Sequence, residues 1–241
     1  MYSYLLFLLI LIPFIAFSSW ASARVNSTYV KYDAVPSRSC MTGYDTAVRL
    51  MRNRGVNDIV VGRVNGRLTD HYNPVKRQVN LSMSTFGSTS VAAVAVAAHE
   101  IGHVMQKKGG YLPYKVRNAL VPITNLGSRL ALPLIILGIL LDLFWFGAYD
   151  QPFGQWMLYI GIALYSLSTI FMLVTLPVEF NASSRARKML LEDGILTSDE
   201  IPAAKKVLNA AALTYVASLL VSLVYFLRFL LFVLPFIRRR D

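Results

Sequence analysis

The sequence predicts a small α+β domain, an antiparallel sheet with one buried helix, carried on an all-α multi-pass membrane base. Three observations predict it. Of the 241 residues, 55% are hydrophobic and only 15% charged, a balance too apolar for an ordinary soluble domain. The excess falls in four runs: Tyr4 to Trp20 without a charge, Leu130 to Tyr149 with only Asp142, Trp156 to Val178 without a charge, and Leu213 to Ile237 with only Arg228. Each approaches or exceeds the roughly 18 to 20 residues that a bilayer-spanning helix requires. Between the first two runs lies a polar stretch, Arg24 to Ser128, whose patterning is that of strands followed by a helix.

The elements follow in order. Residues 1–22 read as a transmembrane anchor. Ala21-Ser22-Ala23 resembles a signal-peptidase site, but Met1 to Ile12 lacks the basic residues of a signal peptide, so the anchor is expected to be retained. Residues 23–128 form the extramembrane domain. Within it Thr42 is placed to cap a helix through Asn53 that ends at Gly55. Ile59 to Val64 and Arg67 to Tyr72 flank Asn65-Gly66, which predicts a hairpin because both turn residues tolerate positive φ. Asn73-Pro74 turns the chain again, and Gln78 to Thr85 alternates as a third strand. Ser88-Thr89-Ser90 caps a helix to about Lys107, stopped by Gly109-Gly110. Its first half is wholly Ala and Val, so it must be buried, and any polar residue on it calls for an explanation. Residues 129–178 form a transmembrane hairpin, 179–212 a second polar segment, and 213–241 a last transmembrane helix with a basic tail.

Several classes are excluded. Disorder, collagen-like repeats and a disulfide scaffold do not fit this composition, and Cys40 is the only cysteine. The net charge of +11 is spread along the membrane flanks without interleaved aromatic residues, so it reads as membrane-surface charge and no nucleic-acid partner is expected. A transporter is disfavoured because the spans contain only Asp142 and Arg228 as ionisable side chains and show no repeat. Lys205-Lys206 read as a solvated or lipid-headgroup face, and Asn209 and Thr214 as hydrogen-bonding partners between helices.

The chemistry is concentrated on the buried helix, at His99-Glu100-Ile101-Gly102-His103. Residues four apart project from one helix face, so both imidazoles can hold one Zn²⁺ while Glu100 reaches a water beside it. Three His and four Glu in the chain give a chance occurrence of H-E-x-x-H on the order of 6 in 10,000. The competing reading is a pair of core histidines beside a surface Glu, which the Ala- and Val-rich flanks do not accommodate. Hydrolytic zinc sites use three protein ligands and one open position. No His follows His103, which leaves a carboxylate among Asp142, Asp150, Glu179, Glu192, Asp193, Asp199 and Glu200. Glu179 stands apart, at the end of the third span where a helix is expected to begin. Its competing reading is an acid favoured by a helix N-terminus.

Four runs resemble the YugP-like neutral zinc metallopeptidases of bacterial membranes: Leu68 to Pro74 (LTDHYNP), Ala97 to His103 (AAHEIGH), Leu176 to Ser183 (LPVEFNAS) and Val207 to Tyr215 (VLNAAALTY). The resemblance implies a membrane-embedded zinc endopeptidase with His99 and His103 as ligands, Glu100 as general base and Glu179 as third ligand. HtpX-type and CAAX-prenyl endopeptidases are similar in pairing H-E-x-x-H with a distal E-x-x-x-D. Here Ser183 stands in the last position, where it is able to hydrogen-bond a ligand.

The expected function is therefore hydrolysis of peptide bonds in membrane proteins or peptides. Its rival is a non-catalytic membrane scaffold or chaperone that retains the zinc site, for which Glu100 has no purpose. His71 and Tyr72, at a strand end, are candidates for stabilising the oxyanion, and the third strand near Val79 to Ser84 is a candidate for pairing with an extended substrate. The distribution of Lys and Arg places the domain on the cytoplasmic face, with Arg238-Arg239-Arg240 disagreeing. Asp142 and Arg228 are expected to pair between helices. The bilayer is an expected partner, and the oligomeric state is left open.

Overall fold

The computed structural model describes residues 2–141 and 153–238. Their elements are α1 (Tyr2–Asp33), α2 (Gly43–Asn53), β1 (Val60–Val64), β2 (His71–Asn73), β3 (Gln78–Ser82), α3 (Met83–Phe86), α4 (Val91–Lys108), α5 (Leu112–Leu141), α6 (Phe153–Glu192) and α7 (Ile201–Arg238). Four of the helices are long and apolar enough to cross a membrane, over Leu9–Asp33, Leu112–Gly138, Tyr159–Glu192 and Ile201–Arg228. The described chain groups into two compact units, one drawn from Met1–Ser18, Val116–Thr175 and Tyr215–Asp241, the other from Ser19–Lys115 and Leu176–Thr214. Asp142, Asp150, Arg239 and Arg240 lie outside the described residues, and with them the expected Asp142–Arg228 pair.

The first unit is helical and packs through small residues. A Cβ on Gly161 would come within 2.4 Å of Ile135 Cγ1, and one on Gly127 within 3.3 Å of Leu164 Cδ2. Thr169 and Ser222 hydroxyls lie 3.0 Å apart between α6 and α7, and Tyr165 stacks on Phe226. Close backbones and a hydroxyl pair are the contacts that join helices where lipid gives no hydrophobic drive for helix association. Leu126, Leu132 and Leu173 are exposed, an apolar surface of the kind that a bilayer would cover.

The second unit is built around α4. Ser90 Oγ accepts from the Ala93 amide at 3.1 Å and so starts the helix. Apart from Val96, the whole Ala/Val stretch Val91 to Ala98 is buried, as its composition requires. Around it pack Leu50 of α2, Val79 and Leu81 of β3, Leu190 of α6 and Leu208 of α7. Helix α2 begins in a capping box, with Thr42 Oγ1 accepting from the Asp45 amide at 3.0 Å and the Asp45 carboxylate accepting from the Thr42 amide at 3.2 Å.

Four expectations are corrected. The sheet is mixed and not antiparallel: its order is β1-β3-β2, with β3 parallel to β1 (Val60↔Gln78 to Val64↔Ser82) and antiparallel to β2 (His71↔Asn80 to Asn73↔Gln78). Asn65-Gly66 does not close a hairpin. Gly66 has φ 103° and Leu68 φ 55°, and Thr69 Oγ1 donates to the Asn65 carbonyl at 3.0 Å, so the chain loops on before pairing. The hairpin joins β2 to β3 instead, where Asn73 Oδ1 accepts from the amides of Val75 and Lys76, each at 3.0 Å. Burial decides the order. Val79 and Leu81 are fully buried, which gives β3 the centre, covered on both edges and closed to an extended substrate.

The third correction concerns Glu179, which does not start a helix. It sits inside α6, which runs unbroken through Pro177 to Glu192. The fourth concerns Thr214, whose hydroxyl donates to Ala211 O of its own helix at 2.7 Å and, among the described residues, forms no hydrogen bond to another helix.

Candidate metal centre

Helix periodicity puts His99 and His103 one turn apart on α4, with ring centroids 4.7 Å apart and the rings edge-on at 85°. From α6, Glu179 Oε2 approaches His99 Nε2 at 3.1 Å and His103 Nε2 at 3.5 Å. Among the described residues these three offer ligand atoms that all lie within 4.8 Å of one another. Glu179 is only 2% exposed. The remaining carboxylate candidates within the described residues are occupied elsewhere. Asp193 and Glu192 meet Arg54 at 2.7 and 3.6 Å. Asp199 meets Arg38 at 2.6 Å, and Glu200 accepts from the backbone amides of Arg38 and Thr197, each at 2.9 Å.

Glycine sets this approach of α6 to α4. A Cβ on Gly102 would lie 2.6 Å from the carbonyl oxygen of Ala182, inside any tolerated contact. The second variable position of H-E-x-x-H must therefore lack a side chain for Glu179 to come this close.

Gln106, fully buried one turn beyond His103, fixes the ring beside it. Its Nε2 donates to the Val178 carbonyl at 2.7 Å and to Asn181 Oδ1 at 3.0 Å, and Arg185 Nε donates to the same Asn181 oxygen at 2.8 Å. A carbonyl can only accept, so the amide orientation is determined and Gln106 Oε1 faces His103 Nδ1 at 3.0 Å. Nδ1 must then carry the proton, leaving the lone pair on Nε2, the atom beside Glu179. On the other ring, Ser183 Oγ lies 3.2 Å from His99 Nδ1, the role open to it from its spacing after Glu179. His103 Nε2 thus turns a lone pair toward the Glu179 carboxylate, and His99 Nε2 does the same when the Ser183 hydroxyl accepts from His99 Nδ1. In that tautomer the three atoms are all electron-pair donors directed at one point, and the set fits a zinc ion held by two nitrogens and one oxygen.

Glu100 is 6% exposed. Burial pushes its carboxyl up to about 7, with the charges of Glu179 and Asp70 acting in the same direction and His99 and a hydrogen bond from the Tyr72 backbone opposing. Asp70 accepts from the amide and the hydroxyl of Ser82 at 2.7 and 2.9 Å, which ties the loop before β2 to the end of β3.

His71 and Tyr72 alternate across β2. His71 is exposed, its Nδ1 2.9 Å from the Thr69 carbonyl and its Nε2 3.1 Å from Asn80 Nδ2. Tyr72 packs against the core, its ring 6.0 Å from Lys107 Nζ. Burial, reinforced by neighbouring Tyr114, raises its phenol to about 12, so it keeps its proton. Gln106, Asn181 and Gly102 were not among the expected site residues. The only sequence signal for Gln106 is its spacing of three from His103, which places it on the same helical face.

The His99, His103 and Glu179 cluster has the composition and spacing of a metal site, and it lies in a chain with four helices long and apolar enough to cross a membrane. The family model described as "Putative neutral zinc metallopeptidase" matches residues 7–234, and the chain belongs to that family. It is 40% identical over 237 residues to "Putative membrane protease YugP" of Bacillus subtilis (strain 168), covering 98% of this chain and 99% of that protein. No solved structure matches it.

The hydrogen bonds of Gln106 make a specific prediction. Gln106→Leu preserves the volume but removes the acceptor that holds His103 Nδ1–H, and zinc affinity measured by chelator competition should fall about 10- to 100-fold. Unchanged affinity in a folded variant would mean that His103 is oriented by something else.

Proposed function

We propose that this chain is a membrane-embedded zinc endopeptidase that hydrolyses peptide bonds of membrane proteins or peptides close to the bilayer. One observation carries the reading: His99, His103 and Glu179 converge while the acid between the histidines, Glu100, is buried on the same helix. A scaffold that merely held zinc would have no use for a desolvated carboxyl at position 100.

His99 Nε2, His103 Nε2 and Glu179 would hold the zinc ion, which would supply Lewis acidity toward a peptide carbonyl and a water. Gln106 and Ser183 hold the two imidazoles by Nδ1, so that neither ring has to reorient. Glu100 takes a proton from the attacking water as its oxygen bonds to the carbonyl carbon. It then delivers that proton to the amine nitrogen as the C–N bond breaks. A desolvated Glu100 is a stronger base than a solvated one, which suits it to both transfers. For the developing oxyanion we assign the protonated Tyr72 phenol ahead of His71, whose two ring nitrogens are engaged by the Thr69 carbonyl and Asn80 Nδ2.

The catalytic unit is assigned to the cytoplasmic face. Arg24, Lys31 and Arg38 follow the first apolar run, Lys115, Arg117 and Arg129 precede the second, and Arg185, Arg187 and Lys188 follow the third. Cys40 is an exposed free thiol in this unit. A membrane-impermeant thiol reagent should leave it unlabelled in intact cells and label it after permeabilisation, whereas labelling in intact cells would reverse the orientation.

The two glutamates separate by role. Glu100→Gln should retain zinc by elemental analysis yet lose cleavage of casein or a membrane-protein substrate by at least about 100-fold. Glu179→Ala should lose the zinc itself, because two imidazoles leave the ion with too few ligands. Full zinc occupancy in Glu179→Ala would move the third ligand elsewhere, and undiminished cleavage by Glu100→Gln would remove this mechanism.

A further inference from the structure

The unit built around α4 also holds a cavity of about 680 Å³ lined by residues of α1, α6 and α7, and the peptidase chemistry makes no use of it. Its volume lies within the roughly 300 to 1,000 Å³ of small-molecule sites. Arg24 and Lys31 line it from α1, Lys206 and Asn209 from α7, and Phe180 from α6, with Leu213 also on the wall. Three cations and no acid face the space. Arg24, Lys31 and Lys206 are exposed, and among the described residues none of them has an ion-pair partner. Two lie against aromatic rings instead, Arg24 5.5 Å from the centre of Trp20 and Lys31 5.7 Å from that of Tyr32. Rings hold cations in place without neutralising them.

The position of the cavity along the three helices identifies the ligand. On α1 the uncharged run ends just before Arg24. On α6 it ends at Val178, two residues before Phe180, and on α7 the last charge before the apolar run is Lys206, with that run beginning at Leu213. All three helices therefore change from apolar to charged sequence at the residues that line the cavity. That change marks the level of lipid headgroups, where aromatic and basic residues concentrate. A soluble anion would need only the cations. Phe180 and Leu213 add an apolar wall suited to the first carbons of an acyl chain.

We propose that this cavity binds the phosphate and headgroup of an anionic phospholipid, with Arg24, Lys31 and Lys206 on the phosphate and Asn209 on headgroup hydroxyls. The chemistry shared with free phosphate is the anionic oxygen cluster; the apolar wall selects the lipid. This site is independent of peptidase activity, and its readout is bound lipid.

The test uses the full chain in nanodiscs of equal phosphatidylglycerol and phosphatidylcholine, released into mild detergent, with retained lipid read by native mass spectrometry. Wild type should retain phosphatidylglycerol in preference to phosphatidylcholine. The double variant Arg24→Ala/Lys206→Ala should retain about 30-fold less, in line with about 1 kcal/mol for each cation removed. Lys205→Ala removes the same charge one residue outside the cavity and should retain as much as wild type, as should the charge-conserving Arg24→Lys/Lys206→Arg. If the alanine pair does not purify as a monodisperse protein, Lys206→Gln replaces it and should retain about 5-fold less than wild type. Equal retention of the two lipids, or equal loss in Lys205→Ala, would overturn the site. Displacement of the lipid by excess inorganic phosphate would overturn the lipid assignment and leave a free-anion site.

Discussion

The site depends on one close approach, the passage of α6 over Gly102 of α4. Two helices normally pack 8 to 10 Å apart, held off by their side chains. At Gly102 no side chain intervenes, and the Ala182 carbonyl occupies the place a Cβ would take. Ala182 lies three residues after Glu179 and one before Ser183, so this contact carries both the acid and the hydroxyl to the histidine face. The Gln106 bonds to Val178 and Asn181 fasten the same stretch of α6 on the C-terminal side of the motif. Leaving such buried groups unpaired would cost about 1 to 3 kcal/mol each, so the register of α6 on α4 is specified by hydrogen bonds as well as by shape.

The rest of the unit follows from the burial of α4. A helix whose N-terminal half is Ala and Val can be surrounded on every side, and here α2, β3, α6 and α7 surround it. Small side chains let those neighbours approach closely, and the polar residues of the motif are thereby withdrawn from water. Desolvation is what raises the Glu100 carboxyl. The sheet contributes by position: β2 is an edge strand, and the Tyr72 backbone reaches Glu100 from it. The fold thus withdraws the polar groups of α4 from water while leaving β2 at a sheet edge beside them.

Local signals in the sequence were legible where local physics decides. The Thr42 and Ser90 caps, the burial of Val91 to Ala98 and the shared face of His99 and His103 all follow from spacing within one helical turn or two. The parallel pairing of β1 with β3 was not legible, because Asn65-Gly66 offers a locally favourable turn and the alternative is decided by which strand buries Val79 and Leu81. The continuity of α6 through Pro177 was also hidden, since proline signals a break in isolation and is tolerated where neighbouring helices pack against it. Gln106 resembled an ordinary polar residue near a helix end until its partners, more than seventy residues along the chain, were in view. The basic cavity gathers residues from Arg24 to Leu213, a juxtaposition no linear pattern encodes.

The central claim is that one zinc ion is held by two imidazole Nε2 atoms and one carboxylate oxygen across α4 and α6. Zinc-edge X-ray absorption of the purified full-length protein tests this most directly. The account predicts one zinc per chain in a shell of nitrogen and oxygen at about 2.0 to 2.1 Å, with outer-sphere scattering from two imidazoles. A sulfur scatterer, or a six-oxygen shell without imidazole scattering, would contradict it.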